Sequence, residues 1–172
     1  MEVIISVGIV SFAFVGIMSV FASNIRVEIA NRDRVAASYL AQEAVEVIRQ
    51  KRDTNWFTGE NWDKGIGNND RVLSLKNPGD LSKGWDDLEN ASGQAYKQRI
   101  FLYKGNYVQC SGNDCKDSNR TGPNWKDTNF ERVIKIEKPT AYQIKMTVTV
   151  SYGGGNKKVQ LVSYLYNNWY TN

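Results

Sequence analysis

Residues 3–22 read VIISVGIVSFAFVGIMSVFA, and this stretch decides how the rest of the chain is interpreted. It contains no charged residue, no Asn and no Gln, and its only hydroxyl side chains are three serines. A helix of 20 residues rises about 30 Å, the thickness of the hydrocarbon core of a bilayer. A cleavable signal peptide would have a basic start and a shorter apolar run, whereas here Glu2 precedes the run. We therefore expect residues 1–22 to form a membrane-spanning helix.

The helical pattern continues beyond the apolar run. Residues 23–53 contain no Pro and no Gly. Their apolar residues recur at spacings of three and four, which is typical of an amphipathic helix. These residues are Ile25, Ile29, Ala36, Ala37, Leu40, Ala41, Ala44, Val45 and Ile48. The pattern predicts that residues 23–53 extend the first helix and bury one face.

Residues 54–172 have the composition of a small globular head. Residues 54–93 are rich in Gly, Asn and Asp and predict a long connection with one short strand at residues 71–75. Alternating side chains then predict antiparallel strands. The expected elements are a hairpin over residues 96–109 turning at Lys104-Gly105, a polar loop over residues 111–129, a strand over residues 130–137, and a hairpin over residues 144–166 turning at residues 153–156. The fold class is therefore α+β, with one long helix packed on a small antiparallel sheet.

Charge and composition limit the classes of function that the sequence favours. The net charge is +4 and no run of five like charges occurs, so nucleic acid is not the indicated partner, although a DNA contact is kept as an alternative. The chain has no His, the commonest general base and metal ligand. Its acids show no paired catalytic spacing, and we expect no enzyme activity, cofactor or metal site. Asp80, Asp86 and Asp87 could hold calcium, but their spacing matches no EF-hand loop.

Cys110 and Cys115 are the two cysteines of the chain, with four residues between them. A structural zinc site needs four ligands, which these residues cannot supply. In an exported domain, a disulfide that closes a short loop is the expected arrangement. The loop entropy would stabilise the fold by roughly 2 kcal/mol. The five Trp residues are expected to pack in the core or under loops, with a glycan-binding or adhesive aromatic patch as the alternative.

Glu2 is the one charged side chain at the start of the apolar helix. A carboxylate deep in a bilayer costs on the order of 2.5–3.5 kcal/mol. One interpretation is that Glu2 reaches the headgroup region of the membrane. The other is that it neutralises a positive charge of a partner when the helices pack together away from lipid.

Several segments resemble type IV pilins and type II secretion pseudopilins. Glu2-Val3-Ile4-Ile5, followed by Val7-Gly8-Ile9-Val10, is similar to the sequence that follows the processing site of that family. Residues 40–56 and 130–169 also resemble pilin-like proteins, whereas the loops do not. The resemblance implies a pilin-like roll, in which residues 1–22 form the filament core, and it implies that Glu2 pairs with the N-terminal amine of a neighbouring subunit.

The start of the chain departs from the pattern of this family. The family has a basic leader, cleavage by a prepilin peptidase after a Gly, and N-methylation of the new terminus, but only Met1 precedes Glu2. We expect that the chain is truncated or that its start lies inside the real gene. The proline that many pilins carry near the end of the apolar run is also missing. Gly8 and Gly16 are then the positions where the helix could loosen during assembly.

The resemblance implies a structural subunit of a type IV pilus-like surface filament, or fimbrium, that serves adhesion, twitching motility or DNA uptake. Its expected partners are other copies of itself, other pilins, the pilus assembly machinery, and a host or abiotic surface. The subunit would lie in the cytoplasmic membrane before assembly and in an extracellular filament afterwards. The long polar loops favour a pilus over a secretion pseudopilin. A single-pass membrane protein with an extracytoplasmic binding domain that never polymerises is the remaining alternative.

Overall fold

The computed structural model describes residues 1–73, 88–90, 98–109 and 124–167. Its fold is α+β, as predicted: one long N-terminal helix packs against an antiparallel sheet, which has seven strands in the described residues. The helix α1 spans Glu2–Phe57 and so ends a few residues beyond the predicted boundary at residue 53. The strands are β1 (Asn69–Val72), β2 (Glu89–Asn90), β3 (Arg99–Tyr103), β4 (Asn106–Val108), β5 (Trp125–Thr140), β6 (Gln143–Tyr152) and β7 (Lys157–Tyr166).

The chain divides into two compact units, Met1–Ala36 and Ala37–Asn172, and α1 contributes to both. The first unit is helix alone. The second unit contains the remainder of α1 together with the sheet. The division falls at residue 37 because this is where burial of the helix begins.

β5 is the strand of the sheet that pairs with three others, β1, β3 and β6. One of its edges pairs with β3 over Trp125–Glu131 and with β1 over Ile134–Ile136. Its other edge pairs with β6, and β6 pairs in turn with β7 over ten residues. Every pairing is antiparallel, as the alternating sequence predicts.

The two predicted hairpins are confirmed. β3 and β4 pair around Lys104-Gly105, whose φ angles of 49° and 86° are those of a tight turn with two left-handed residues. β6 and β7 pair around residues 153–156. The expected loop over residues 111–129 is wrong at its end, because β5 already begins at Trp125. Of the residues in this predicted loop, Trp125, Lys126 and Asp127 pair with β3. The Trp125 ring also contacts Phe101 and Tyr103.

The core of the second unit lies between one face of α1 and one face of the sheet. The helix contributes Ala37, Leu40, Ala41, Ala44, Val45 and Ile48, which are all buried. β5 and β6 contribute the alternate residues Phe130, Ile134, Ile136, Ile144, Met146, Val148, Val150 and Tyr152. The apolar spacing of three and four in α1 and the alternation in the strands meet in a single core.

Asn55 organises the chain where the helix ends. Its side-chain amide donates to the backbone oxygens of Trp62 and Lys64, at 3.2 and 2.8 Å, and its own backbone oxygen accepts from the N–H of Glu60 at 2.9 Å. Asn55, Trp62 and Ile66 are buried. The predicted packing of Trp62 is thus confirmed. An ion pair also connects this segment to β5, because Lys138 Nζ lies 2.5 Å from the Asp63 carboxylate.

Candidate functional site

The first unit presents an apolar surface that its own chain does not cover. Thirteen large apolar side chains between residues 3 and 21 have exposed fractions of 52 to 85%. They are Val3, Ile4, Ile5, Val7, Ile9, Val10, Phe12, Phe14, Val15, Ile17, Met18, Val20 and Phe21. Removing such a side chain from water is worth about 1.5–3 kcal/mol, so covering the whole set is worth on the order of 20 kcal/mol or more. This surface needs a membrane or another protein around it.

The helix is suited to a bilayer by length and composition. α1 contains one segment that is long enough and apolar enough to cross a membrane, and none of that segment is buried within the structure. Two of its three serine hydroxyl groups are satisfied internally: the side chains of Ser6 and Ser11 donate to the backbone oxygens of Glu2 and Val7, at 2.9 and 2.7 Å. Internal hydrogen bonding of this kind is what a helix needs in hydrocarbon. The N-terminal helix could therefore anchor the chain in a membrane.

Glu2 lies in the first turn of α1 and is exposed. A carboxylate is favoured there because the N-terminal end of a helix carries partial positive charge. Within the described residues, no hydrogen bond or ion pair involves its carboxylate. The Glu2 side chain is thus open to a positive group from another molecule.

Gly8 and Gly16 both lie inside α1, where the helix is continuous. A Cβ built on either glycine would meet no atom within 4 Å. Neither glycine is therefore required by close packing within this chain. Their predicted role in helix loosening stays a prediction.

The second unit contains a buried polar network that the sequence analysis did not identify. Arg132 of β5 is buried, with 1% of its side chain exposed. Its guanidinium donates to the Glu43 carboxylate at 2.6 Å, to the Leu40 backbone oxygen at 2.8 Å and to Gln109 Oε1 at 2.9 Å. The Gln109 amide nitrogen donates to the backbone oxygens of Arg132 and Gln98, at 2.9 and 3.1 Å. The network links α1, β5 and the residue that follows β4.

Burial of this charge has an electrostatic cost that the network offsets. Desolvation lowers the pKa of Arg132, while the charge and the hydrogen bond of Glu43 act in the opposite direction. Because the guanidinium on β5 has acceptors in α1 and in the residue that follows β4, it fixes the relative positions of these segments as well as satisfying its own hydrogen bonds. We infer that Arg132 holds the second half of α1 against the sheet.

A sequence signal for Arg132 did exist. Alternation in β5 places residues 130, 132, 134 and 136 on one face, and Ile134 and Ile136 mark that face as the buried one. A charged residue on the buried side of a strand needs a partner of opposite charge. The partner, Glu43, lies 89 positions away in the sequence, and no local pattern identifies a contact at that separation.

The outer face of the sheet has a polar cleft of about 370 Å³, lined by Arg99, Asp127, Thr128, Asn129, Glu131, Ser151, Gly154 and Gly155. Most of these residues are exposed. In the part of the chain that the structure describes, no group of three or more His, Cys, Asp or Glu side chains is placed to hold a metal ion. The predicted disulfide between Cys110 and Cys115 and the possible calcium ligands Asp80, Asp86 and Asp87 lie outside the described residues.

The fold and the helix together define an α+β protein with an apolar N-terminal helix that is compatible with a membrane. Comparisons with protein families, with curated proteins and with solved structures found no match to this chain.

Proposed function

We propose that this chain is a structural subunit of a type IV pilus-like surface filament. In this proposal, residues 1–22 anchor the subunit in the cytoplasmic membrane before assembly. The same residues then leave the lipid and, together with residues 23–36, pack against the same segment of neighbouring copies. Residues 54–172, which form the head together with the second half of α1, would face the outside.

The observation that carries the proposal is the change of environment along one continuous helix. Residues 37–48 of α1 are packed on the sheet through six buried side chains. Large apolar residues before Ala37 are exposed, including Ile25, Val27, Ile29 and Val35, which lie beyond the apolar run. A bilayer covers about 20 residues of helix, so lipid alone leaves these four side chains in water. Neighbouring helices in a filament core would cover these four side chains as well as the apolar run of residues 3–22.

Glu2 supports the same proposal. Its carboxylate has no partner among the described residues, and a charge in a dry helix bundle needs one because an uncompensated charge there is strongly unfavourable. An amine at the N-terminus of a neighbouring helix is a partner of the right charge. Pairing between the two groups would set the axial offset between adjacent subunits.

The proposed filament would serve adhesion, twitching motility or DNA uptake, with the pilus assembly machinery and other pilins as partners. These roles are inferred from the resemblance and from the polar surface of the head. A structural role also agrees with the lack of His in the chain.

Substitution of Glu2 tests the proposal directly. In cells that assemble filaments from this chain, Glu2→Ala is expected to lower the number of filaments at least about tenfold, because each subunit interface loses a charge pair. The subunit itself should still accumulate in the membrane, since the apolar run is unchanged. Filaments are counted by electron microscopy, and the membrane fraction is measured by immunoblotting.

Glu46→Ala is the matched control, because Glu46 is an exposed carboxylate of the same helix that lies outside residues 1–36. It should leave the number of filaments unchanged. Equal filament numbers for the two variants would contradict the role of Glu2. A protein that stays monomeric in the membrane would instead indicate an anchored binding domain, and short filaments confined to the cell envelope would indicate a secretion pseudopilin.

A further inference from the structure

β7 lies at one margin of the sheet. In the described residues it pairs only with β6, so its other edge has no strand beside it. The burial of paired residues supports this position: Val148 and Val150 of β6 are completely buried, whereas their partners Leu161 and Val159 of β7 are only half-buried. This margin of the core therefore lies open to solvent along β7.

The sequence of β7 lacks most features that protect an edge strand from pairing. Residues 159–166 contain no Pro and no charged residue. Val162, Tyr164 and Tyr166 on the outer face are 47, 47 and 49% exposed. An edge that is long, uncharged and partly apolar is a template for another strand. The only charges, on Lys157 and Lys158, lie together at the beginning of the strand.

We propose that β7 pairs antiparallel with β7 of a second copy of this chain, about a two-fold axis at Val162. This register places Lys158 opposite Tyr166, Gln160 opposite Tyr164, and Val162 opposite itself. The lysines are thereby kept at the two ends of the new pair, and the stem of Lys158 covers a tyrosine ring. A parallel arrangement in register would instead place the lysines of both copies side by side, which is unfavourable.

The inner face of the strand fits the same register. Val159 lies opposite Leu165 and Leu161 opposite Ser163, so the half-buried apolar side chains at the open margin gain cover from the second copy. Cross-strand pairs of this kind each contribute roughly 0.2–1 kcal/mol. In this antiparallel register, β7 is complementary to a second β7. This self-complementarity favours a second copy of the chain, rather than an unrelated peptide, as the partner.

The pairing is independent of the proposed filament, but it has a consequence if that proposal holds. Two-fold contacts use the same patch on both partners, whereas a helical filament is built from head-to-tail contacts. The β7 contact would then join subunits of two different filaments.

The test uses the full chain embedded in lipid nanodiscs at one copy per disc, so that association through the apolar helix cannot join two discs. Sedimentation velocity measures the pairing of discs through the heads. The wild-type chain should pair in a concentration-dependent manner. Val162→Lys and Val162→Glu should each raise the dissociation constant about tenfold, because like charges face each other at the two-fold axis. An equimolar mixture of the two variants should recover pairing, because opposite charges then meet.

Tyr142→Lys is the matched control, since Tyr142 is an exposed aromatic residue outside β7, 58% exposed, and its substitution should leave pairing unchanged. Wild-type discs that stay single at every concentration would overturn the proposal. So would Val162→Lys discs that pair as well as the wild type. A mixture that fails to recover pairing, although the wild type pairs, would overturn the register at Val162. Circular dichroism of each variant verifies that the fold is retained.

Discussion

Arg132 places a guanidinium among apolar side chains, and its three acceptors come from distant parts of the chain. Glu43 and the Leu40 backbone oxygen belong to α1, and Gln109 follows β4. A buried charge with this many partners is costly to leave unpaired, although the complete network need not be more stable than a well-packed apolar core. The ion pair specifies how the helix lies on the sheet.

Glu43→Ala is expected to destabilise the second unit by about 2–3 kcal/mol. This is less than the loss of a partner from a fully buried pair, because 36% of the Glu43 side chain is exposed. The measurement is chemical denaturation of the full chain in detergent, followed by near-ultraviolet circular dichroism. Glu46→Ala is the control, since Glu46 pairs with Arg49 on the exposed face of the same helix. The control should cost about 0.5 kcal/mol or less, and equal losses for the two variants would contradict the role assigned to the buried pair.

Glu137 is expected to make a contribution to folding stability that decreases at acidic pH. Lys145 and Lys135 lie 3.0 and 3.1 Å from its carboxylate and lower the pKa of Glu137. A carboxylate with a lowered pKa in the folded state contributes stability above its unfolded pKa, and that stability is lost as pH falls through the folded pKa. The effect should be small and weakened by salt, because the groups are at the surface.

The measurement is a ¹³C NMR titration of the Glu137 carboxyl carbon at low and high salt. We expect a midpoint below that of an unpaired Glu, moving upward in Lys145→Gln. The Lys145 pKa is raised by the same contact, so its share of the stability is present below its unfolded pKa and is lost as pH rises through the folded one. A midpoint for Glu137 that does not change in Lys145→Gln would contradict the ion pair.

At the scale of elements, the periodicity of apolar residues in the sequence predicted most of the helix and strand segments in the described structure. The spacing of three and four in residues 37–48 and the alternation in β6 and β7 each mark one buried face, and the bounds of these elements lie within a few residues of the prediction. Local sequence is sufficient there because each element has a single apolar face and a clear turn or helix end.

The first part of β5 could not be predicted in the same way. Residues 125–129 read Trp-Lys-Asp-Thr-Asn, and only Trp125 and Thr128 are partly buried. This stretch forms a strand because β3 pairs with it, with a register shift between Arg99 and Phe101. Tertiary pairing overrides a weak local preference in this segment. The buried polar network was missed for the same reason, since its members are far apart in the sequence.

The turn between β3 and β4 gives a prediction at this scale. Gly105 has a φ of 86° with no atom near a built Cβ, so an added side chain is limited by backbone strain rather than by space. Gly105→Ala is expected to destabilise the second unit by about 1 kcal/mol. Gly105→Asn should cost less, because Asn tolerates the left-handed region better. Denaturation midpoints compare the two variants, and an Asn variant less stable than the Ala variant would contradict this explanation.

At the scale of the whole molecule, one helix serves two different environments. Residues 37–57 belong to a unit with its own core, whereas residues 1–36 have no core of their own. The sequence predicted the apolar run and its amphipathic continuation. It could not locate the boundary at residue 37, because the apolar spacing continues unchanged across it and only the packing of the sheet decides which turns are covered.

The central claim is that the exposed part of α1 becomes the core of a filament. The most direct measurement is electron cryomicroscopy of filaments sheared from cells that produce this chain, combined with mass spectrometry of the N-terminal peptide. We predict a filament whose core is built from residues 1–36 of many copies, with the Glu2 carboxylate beside the N-terminal amine of a neighbour. Finding the chain only in membranes, monomeric and absent from every sheared filament, would contradict this account.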